Sequence, residues 1–257
     1  MIFETHAHYD DEAFDADREE LVASLPAGGI DTVVNACSDK ASLSSTEALT
    51  KRFSHVYGAY GLHPDSVGEM DEEVFERIRQ LCRTEKAVAV GEIGLDYHWN
   101  VESRETQIYW FERQLALARE EKLPVIIHSR DAAEDTLLVS QRNNLGEIGG
   151  IVHCFSYSKE LAAKYLDMGM YIGIGGVVTF KNAKKLKAVV DYAPLEQLVL
   201  ETDCPYLAPE PYRGKRNSSL YLPYVAAEIG RIKGVDAEEV IRITRENAMK
   251  CFGLCIG

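Results

Sequence analysis

The stretch IFETHAH, residues 2–8, decides the fold because it joins an apolar, β-rich run to two histidines at its end. Side chains alternate between the two faces of a strand, so His6 and His8 lie on the same face. Two imidazoles at the end of one strand can both reach a single bound ion. The stretch therefore predicts a first strand with metal ligands at its C-terminal end, and later parts of the chain repeat this pattern.

Seven further apolar runs follow along the chain, and amphipathic segments separate several of them. Val74, Ile78 and Leu81 share one helical face, as do Phe111 and Leu115 in the next interval. Strands alternating with helices predict a parallel sheet, and eight such units predict closure into one (β/α)8 TIM barrel over residues 1–257. The predicted strands cover residues 2–6, 32–37, 56–62, 87–93, 125–128, 150–153, 171–174 and 198–202, and a terminal helix covers about 237–252.

Four later strands also end in residues that bind metals, namely Glu92, His128, His153 and Asp203. A single histidine at a strand end is more often an ordinary polar residue, but four histidines with two carboxylates favour a site. In barrel enzymes the C-terminal strand ends meet at one rim. Six ligands exceed what one ion requires, so we expect two divalent ions, Mg²⁺, Mn²⁺ or Zn²⁺. Strand order predicts that Glu92 bridges an ion on His6, His8 and Asp203 and another on His128 and His153.

Composition limits the classes of partner. The net charge of −13 argues against a broadly basic surface for nucleic acid. It does not exclude an anionic substrate, because two divalent ions would add positive charge at the site itself. The six cysteines show no regular spacing, and the N-terminus lacks the features of a secretory signal. We therefore expect a cytoplasmic monomer with no membrane partner.

Seven motifs resemble those of the TatD family of metal-dependent deoxyribonucleases. They are ETHAHYD, GLHP, GEIGLDYHW, PVIIHSR, HCFS, ETDCPYLAP and RGKRN, in this order from residue 4 to residue 217. The resemblance covers essentially the whole chain. It implies an amidohydrolase-like barrel and a divalent-metal phosphodiesterase that acts on DNA, often as a 3′ to 5′ exonuclease. It also implies that His6, His8, Glu92, His128, His153 and Asp203 are the metal ligands.

Three departures from the family pattern concern the substrate path more than the ligand set. Glu4 stands where the family usually has Asp, and Tyr157 stands where a Gly usually follows HCFS. Ser218 and Ser219 replace a usual Glu-Pro after RGKRN. Glu4 shares a strand face with His6, so it could support a ligand or form a buried ion pair.

A phosphodiester substrate requires positive charge beside the ions. Arg213, Lys215 and Arg216 form a short basic run after the eighth strand, and Arg130 follows His128 by two residues. We expect these four cations to bind substrate, and we expect His63 at the end of the third strand to contact a phosphate. Aromatic residues of the rim loops could stack on bases. They are Tyr97, Trp99, Phe155, Tyr206 and Tyr212.

These residues predict hydrolysis by a metal-activated water, with Glu92 and Asp203 as catalytic residues. We expect Asp203 to orient the water and to accept its proton. Stacking and a narrow barrel mouth favour the single-stranded ends of DNA as substrate. Three alternatives remain: a metal-dependent amidohydrolase or deaminase on a small molecule, a related hydrolase acting on RNA, and a scaffold protein that keeps the barrel without catalysis.

Overall fold

A computed structural model describes residues 1–99 and 101–254. Eight parallel strands form a sheet in which each strand pairs with its neighbours in the chain. They are β1 Ile2–Ala7, β2 Ile30–Ala36, β3 Val56–Ala59, β4 Ala87–Asp96, β5 Val125–Arg130, β6 Gly150–Val152, β7 Tyr171–Ile174 and β8 Leu198–Leu200. The prediction of eight strands is confirmed, and so is the TIM-barrel class.

The barrel closes between β1 and the residues that follow β8. The backbone N–H of Asp203 donates to the carbonyl oxygen of His6 at 3.0 Å, and the N–H of His8 donates to that of Cys204 at 2.9 Å. The hydroxyl of Thr5 adds a bond to the carbonyl oxygen of Leu200 at 3.0 Å. This seam carries three candidate site residues, so closure of the barrel also brings His6 and His8 to Asp203.

Helices occupy the intervals between strands and follow β8. They are α1 Arg18–Ser24, α2 Lys40–Arg52, α3 Glu72–Cys82, α4 Arg104–Glu121, α5 Ala133–Arg142, α6 Leu145–Ile148, α7 Lys159–Asp167, α8 Lys184–Tyr192, α9 Leu222–Lys233 and α10 Ala237–Cys251. Short 3-10 turns include Pro64–Glu69 and Ser219–Tyr221. Within the described residues, no helix combines the length and the apolar character that crossing a membrane requires.

The core follows the predicted periodicity. Val74, Ile78 and Leu81 of α3 are buried against the barrel, and so are Phe111 and Leu115 of α4. Burying such side chains contributes roughly 1.5–3 kcal/mol each, which is the main force that holds the helices on the sheet. The terminal helix begins after Asp236 as expected, but the side chain of Asp236 makes no capping hydrogen bond.

Several strand ends differ from the prediction. The third strand ends at Ala59 rather than at residue 62. The backbone of Tyr60 still bonds Ala89 and Gly91 of β4, and beyond it the side-chain amide of Gln114 bonds the backbone of Leu62. The fourth strand continues to Asp96, which places Glu92 inside it rather than at its end. His153 and Asp203 lie just beyond their short strands.

Candidate metal centre

The structure brings all six predicted ligands together at the C-terminal rim of the barrel. The Nε2 atoms of His6 and His8 are 3.0 Å apart. The nearest Asp203 oxygen, Oδ1, lies 3.6 Å from His6 Nε2 and 3.3 Å from His8 Nε2. Glu92 Oε2 lies 3.3 Å and 3.6 Å from the same two nitrogens. We call these four residues the first ligand set.

The second ligand set uses the other oxygen of Glu92. Glu92 Oε1 lies 2.8 Å from His128 Nδ1 and 2.6 Å from His153 Nε2. These two nitrogens are 3.2 Å apart. Glu92 is 3% exposed and stands between the two sets, with one oxygen facing each. This is the position that strand order predicted for a bridging carboxylate.

The spacing of the atoms in the first set fits a divalent ion. Four ligands at about 2.1 Å from a tetrahedral ion lie about 3.4 Å from one another. The atoms of the first set are 3.0–3.6 Å apart, whereas those of the second set are 2.6–3.2 Å apart, which are hydrogen-bond distances. Imidazole nitrogens with carboxylate oxygens suit Zn²⁺ and Mn²⁺, and Mg²⁺ less readily. The donor types of both sets and the spacing of the first set therefore fit metal ions.

Hydrogen bonds outside the two sets orient two of the imidazoles. His8 Nδ1 donates to the carbonyl oxygen of Ala36 at 2.9 Å, which leaves Nε2 as the nitrogen that faces the first set. His128 Nε2 donates to Asp96 Oδ2 at 2.9 Å, which leaves Nδ1 facing the second set. A carboxylate behind a ligand imidazole fixes its tautomer and raises its basicity. The Nδ1 atoms of His6 and His153 are buried, and residues 1–99 and 101–254 offer them no hydrogen-bond partner.

Asp96 contacts a candidate metal ligand and was not predicted from the sequence, although the sequence contained a usable signal. Glu92 and Asp96 are four residues apart in one strand, so they lie on the same face. Inward-facing residues at the end of β4 were therefore candidates for contact with the metal ligands. The predicted strand ended at residue 93, so Asp96 was left outside it.

Charges within the cluster favour an ionised bridge. Burial opposes ionisation of Glu92, but His153 and His6 outweigh it and hold its pKa well below the usual range. Burial also opposes a charge on His8, while Asp203 and Glu92 raise its pKa to about 10. The cluster thus balances its carboxylates with imidazolium charge, and divalent ions would take over that role on binding.

Asp203 lies at the mouth of the first set. Its φ of 57° is in the left-handed region, which Asp tolerates better than most residues. Its side chain is 18% exposed, so it is the most accessible carboxylate of the two sets. The neighbouring Glu201 is fully buried and accepts a hydrogen bond from the N–H of Cys154, and within the described residues it forms no hydrogen bond to a ligand imidazole. Burial raises the pKa of Glu201 to about 8.

Two of the departures from the family pattern contact each other. Ser219 donates its hydroxyl proton to Glu4 Oε2 at 2.9 Å, and it accepts a bond from the hydroxyl of Tyr9 at 2.7 Å. Glu4 Oε1 accepts bonds from the backbone N–H groups of His6 and Thr202 at 3.2 and 2.8 Å. Glu4 is therefore a buried acid that ties the barrel seam to the loop after β8, rather than an ion-pair partner. Burial raises its pKa to about 7.

His63 lies beside the second set, and its imidazole is in the tautomer that carries the proton on Nε2. Its Nδ1 accepts the backbone N–H of Asp65 at 3.1 Å, so the proton resides on Nε2. Nε2 lies 3.9 Å from Glu92 Oε1, and the His63 ring contacts the ring of His128 edge-on at 4.2 Å. Burial and the neighbouring His128 lower the pKa of His63 to about 3, so the ring is neutral.

The predicted basic residues occupy different surroundings. Arg216 forms a two-pronged ion pair with Asp17 at 2.6 and 2.7 Å, so its charge is used within the protein. Arg213 lies over the ring of Phe180 at 4.3 Å, and Lys215 lies 5.8 Å from the ring of Tyr212. Both are exposed, and neither forms an ion pair with a carboxylate in the described part of the chain. Arg130, at the end of β5, is exposed as well.

A parallel eight-stranded barrel with imidazoles and carboxylates at its C-terminal rim is typical of metal-dependent hydrolases. The chain belongs to the TatD family, because the family model described as TatD related DNase matches residues 3–253. It is 42% identical over 252 residues to the uncharacterized metal-dependent hydrolase YabD of Bacillus subtilis (strain 168), covering 98% of this chain and 99% of the relative. The protein is thus a metal-dependent hydrolase of the TatD family.

Two further comparisons bear on the fold and on activity. The chain is 32% identical over 261 residues to the 3′-5′ ssDNA/RNA exonuclease TatD of Rahnella sp. (strain Y9602), covering 98% of each. The crystal structure of YJJV, a TatD homologue from Escherichia coli K12, superposes with a TM-score of 0.92 at 30% identity. That match covers 99% of this chain and 98% of the other.

Proposed function

We propose that the protein is a divalent-metal-dependent deoxyribonuclease that hydrolyses phosphodiester bonds at the 3′ ends of single-stranded DNA. The observation that carries this proposal is the position of Glu92, whose two oxygens face two separate imidazole sets 2.6–3.6 Å away. Two-metal sites of this kind suit the displacement of a phosphate ester, because both the attacking and the leaving oxygen carry developing charge. The relative from Rahnella, named as an exonuclease on single strands, supports the same reading.

We assign His6, His8 and Asp203 to one ion and His128 and His153 to another, with Glu92 shared. Bound there, the ions would neutralise phosphate oxygens and lower the pKa of a water molecule. Asp203 is the group best placed to accept a proton from the attacking water, because it is the most accessible carboxylate of the cluster. His63 presents a neutral Nε2–H toward the centre and can donate to a phosphate oxygen.

Substrate binding requires cations that are not already paired. Arg130, Arg213 and Lys215 are exposed and are our proposed phosphate contacts. Arg216 contributes less, because leaving Asp17 would break a two-pronged ion pair. The proposed partner is therefore DNA with an exposed end, and the cytoplasmic monomer predicted from the sequence stays a prediction.

End-labelled single-stranded DNA, duplex DNA, RNA and covalently closed circles distinguish the possibilities. The metal-free protein is assayed first, and Mg²⁺, Mn²⁺ or Zn²⁺ is then added back. We expect loss of terminal nucleotides from single-stranded DNA, restored by metal and abolished in Glu92→Ala. Glu85→Ala is the matched control, because Glu85 is an exposed carboxylate just before the same strand.

Three other outcomes would each contradict a different part of the proposal. Equal cleavage of closed circles would rule out an end-directed enzyme. Preference for RNA would move the substrate to ribonucleic acid, which the name of the Rahnella relative also includes. Metal binding without cleavage of any polynucleotide would refute the nuclease proposal and leave a small-molecule hydrolase.

A further inference from the structure

The five aromatic residues of the rim loops differ sharply in exposure. Tyr97 and Phe155 are buried, at 8% and 2% exposure, and Tyr212 packs flat against Tyr221 with ring centroids 4.1 Å apart. These three serve the packing of the protein. Trp99 is 62% exposed and Tyr206 is 55% exposed, but the hydroxyl of Tyr206 already donates to Asp11 Oδ2 at 2.9 Å. An indole left in water at the catalytic rim of a folded protein is a candidate contact for a ligand.

Trp99 is tied to the metal centre through Asp96. Asp96 Oδ2 contacts the imidazole of His128 at 2.9 Å, while Oδ1 accepts the backbone N–H groups of His98 and Trp99 at 2.8 and 3.4 Å. The Asp96 carboxylate therefore contacts both the candidate ligand His128 and the backbone of the loop that carries Trp99. This connection places Trp99 beside the centre and distinguishes it from aromatic residues scattered over the outer helices.

Arg130 provides the positive charge beside this indole. Its guanidinium carbon lies 5.4 Å from the centroid of the Trp99 ring, within the range of a cation–π contact. Arg130 follows His128 by two residues in β5, and within the described residues it forms no ion pair with a carboxylate. An aromatic face for a base and an unpaired cation for a phosphate are the two components with which proteins bind single-stranded nucleic acid.

We propose that Trp99 and Arg130 form a platform that binds one unpaired nucleobase and its adjoining phosphate next to the metal centre. This inference rests on the proposed action on nucleic acid and adds where the strand lies. The base stacks on the exposed indole, and the phosphate contacts the guanidinium. The platform favours single strands, because a base inside a duplex has no free face to offer.

Binding is measured in the metal-loaded Asp203→Asn protein, whose turnover is expected to be about 100-fold or more below that of the wild type. The ligands are a short oligothymidylate and an abasic strand of the same length, which keeps the phosphates and lacks the bases. We expect the oligothymidylate to bind more tightly and to quench the fluorescence of Trp99. The chain has two tryptophans, and the second, Trp110, is buried at 8% exposure and serves as an internal reference.

Three variants separate the parts of the platform. Trp99→Ala should weaken binding of oligothymidylate by roughly 5- to 150-fold, leave the abasic strand unchanged, and so abolish discrimination between the two. Trp99→Phe should restore part of it. Arg130→Gln should weaken both strands alike and reduce the salt dependence of binding. Tyr192→Ala is the matched control, because Tyr192 is 53% exposed at the far end of α8.

The proposal is overturned if Trp99→Ala keeps the preference for the strand that carries bases. That result would leave the nuclease proposal intact, provided that wild-type protein shortens the oligothymidylate. If wild-type protein binds the oligothymidylate through Trp99 but no metal supports cleavage, the platform stands and the nuclease proposal fails. The measurements can therefore refute the platform without refuting the nuclease proposal, and the reverse.

Discussion

Asp96→Asn should weaken the binding of one ion and spare the other. In the wild-type protein His128 Nε2–H donates to Asp96 Oδ2 at 2.9 Å, which turns the lone pair of Nδ1 toward Glu92 and His153. A carboxylate can only accept, whereas the amide nitrogen of Asn can donate to Nε2 and favour the tautomer with its proton on Nδ1. The remaining oxygen of Asn can still accept the N–H of His98, so the loop keeps its anchor.

The magnitude follows from the role of such outer hydrogen bonds. Removing the carboxylate behind a ligand imidazole typically costs 10- to 100-fold in metal affinity, or about 1.4–2.7 kcal/mol. The loss should fall on the second ligand set, which contains His128. The first set should change little, because His8 is oriented by the carbonyl oxygen of Ala36.

Competition between the protein and a chromophoric chelator for Zn²⁺ measures both affinities. We expect two binding events in the wild-type protein and a selective loss of one in Asp96→Asn. Asp131→Asn is the control, because Asp131 contacts His98 at 2.8 Å in an exposed aspartate–histidine pair outside both sets. Unchanged affinities in Asp96→Asn, or an equal loss at both sites, would refute the assignment of Asp96 as the group that orients His128.

Other variants test the remaining steps. Asp203→Asn should lower turnover of single-stranded DNA by about 100-fold or more, and full turnover with metals bound would contradict its role as base. Ser219→Ala leaves Glu4 without one of its partners and should cost about 1–3 kcal/mol, seen as a lower Tm. Arg231 lowers the pKa of Glu228 to about 2, so the stability that this carboxylate contributes is present above pH 4.5 and is lost toward pH 2. The Tm of Glu228→Gln should therefore fall about 2–4 °C below wild type at neutral pH and converge with it in acid.

The number and order of strands could be predicted because apolar runs and helical periodicity are local properties of the sequence. Strand ends could not, because they depend on which neighbour supplies the next hydrogen bond. β3 ends at Ala59, three residues before the predicted end, and at Leu62 the backbone is bonded by Gln114 of α4, 52 residues away, instead of by a neighbouring strand. A contact of this kind leaves no trace in the local pattern.

Convergence of the six candidate ligands could also be predicted, because the C-terminal ends of barrel strands meet at one rim whatever the loops do. The position of Glu92 between the two ligand sets followed from strand order for the same reason. The surroundings of the basic residues could not be predicted. Arg216 pairs with Asp17, which lies in a loop before α1, and only the folded chain brings these two residues together.

The departures at positions 4 and 219 show that the role of a single residue is hard to predict when its contacts in the fold are unknown. Taken separately, Glu4 suggested either support for a ligand or a buried ion pair, and Ser219 suggested an altered substrate loop. In the folded protein the hydroxyl of Ser219 meets Glu4 Oε2, and the hydroxyl of Tyr9 completes the contact. A buried carboxyl group requires hydrogen-bond partners to offset the loss of water, and a serine hydroxyl supplies one that proline cannot. The two departures are therefore parts of one arrangement that supports the seam carrying His6 and Asp203.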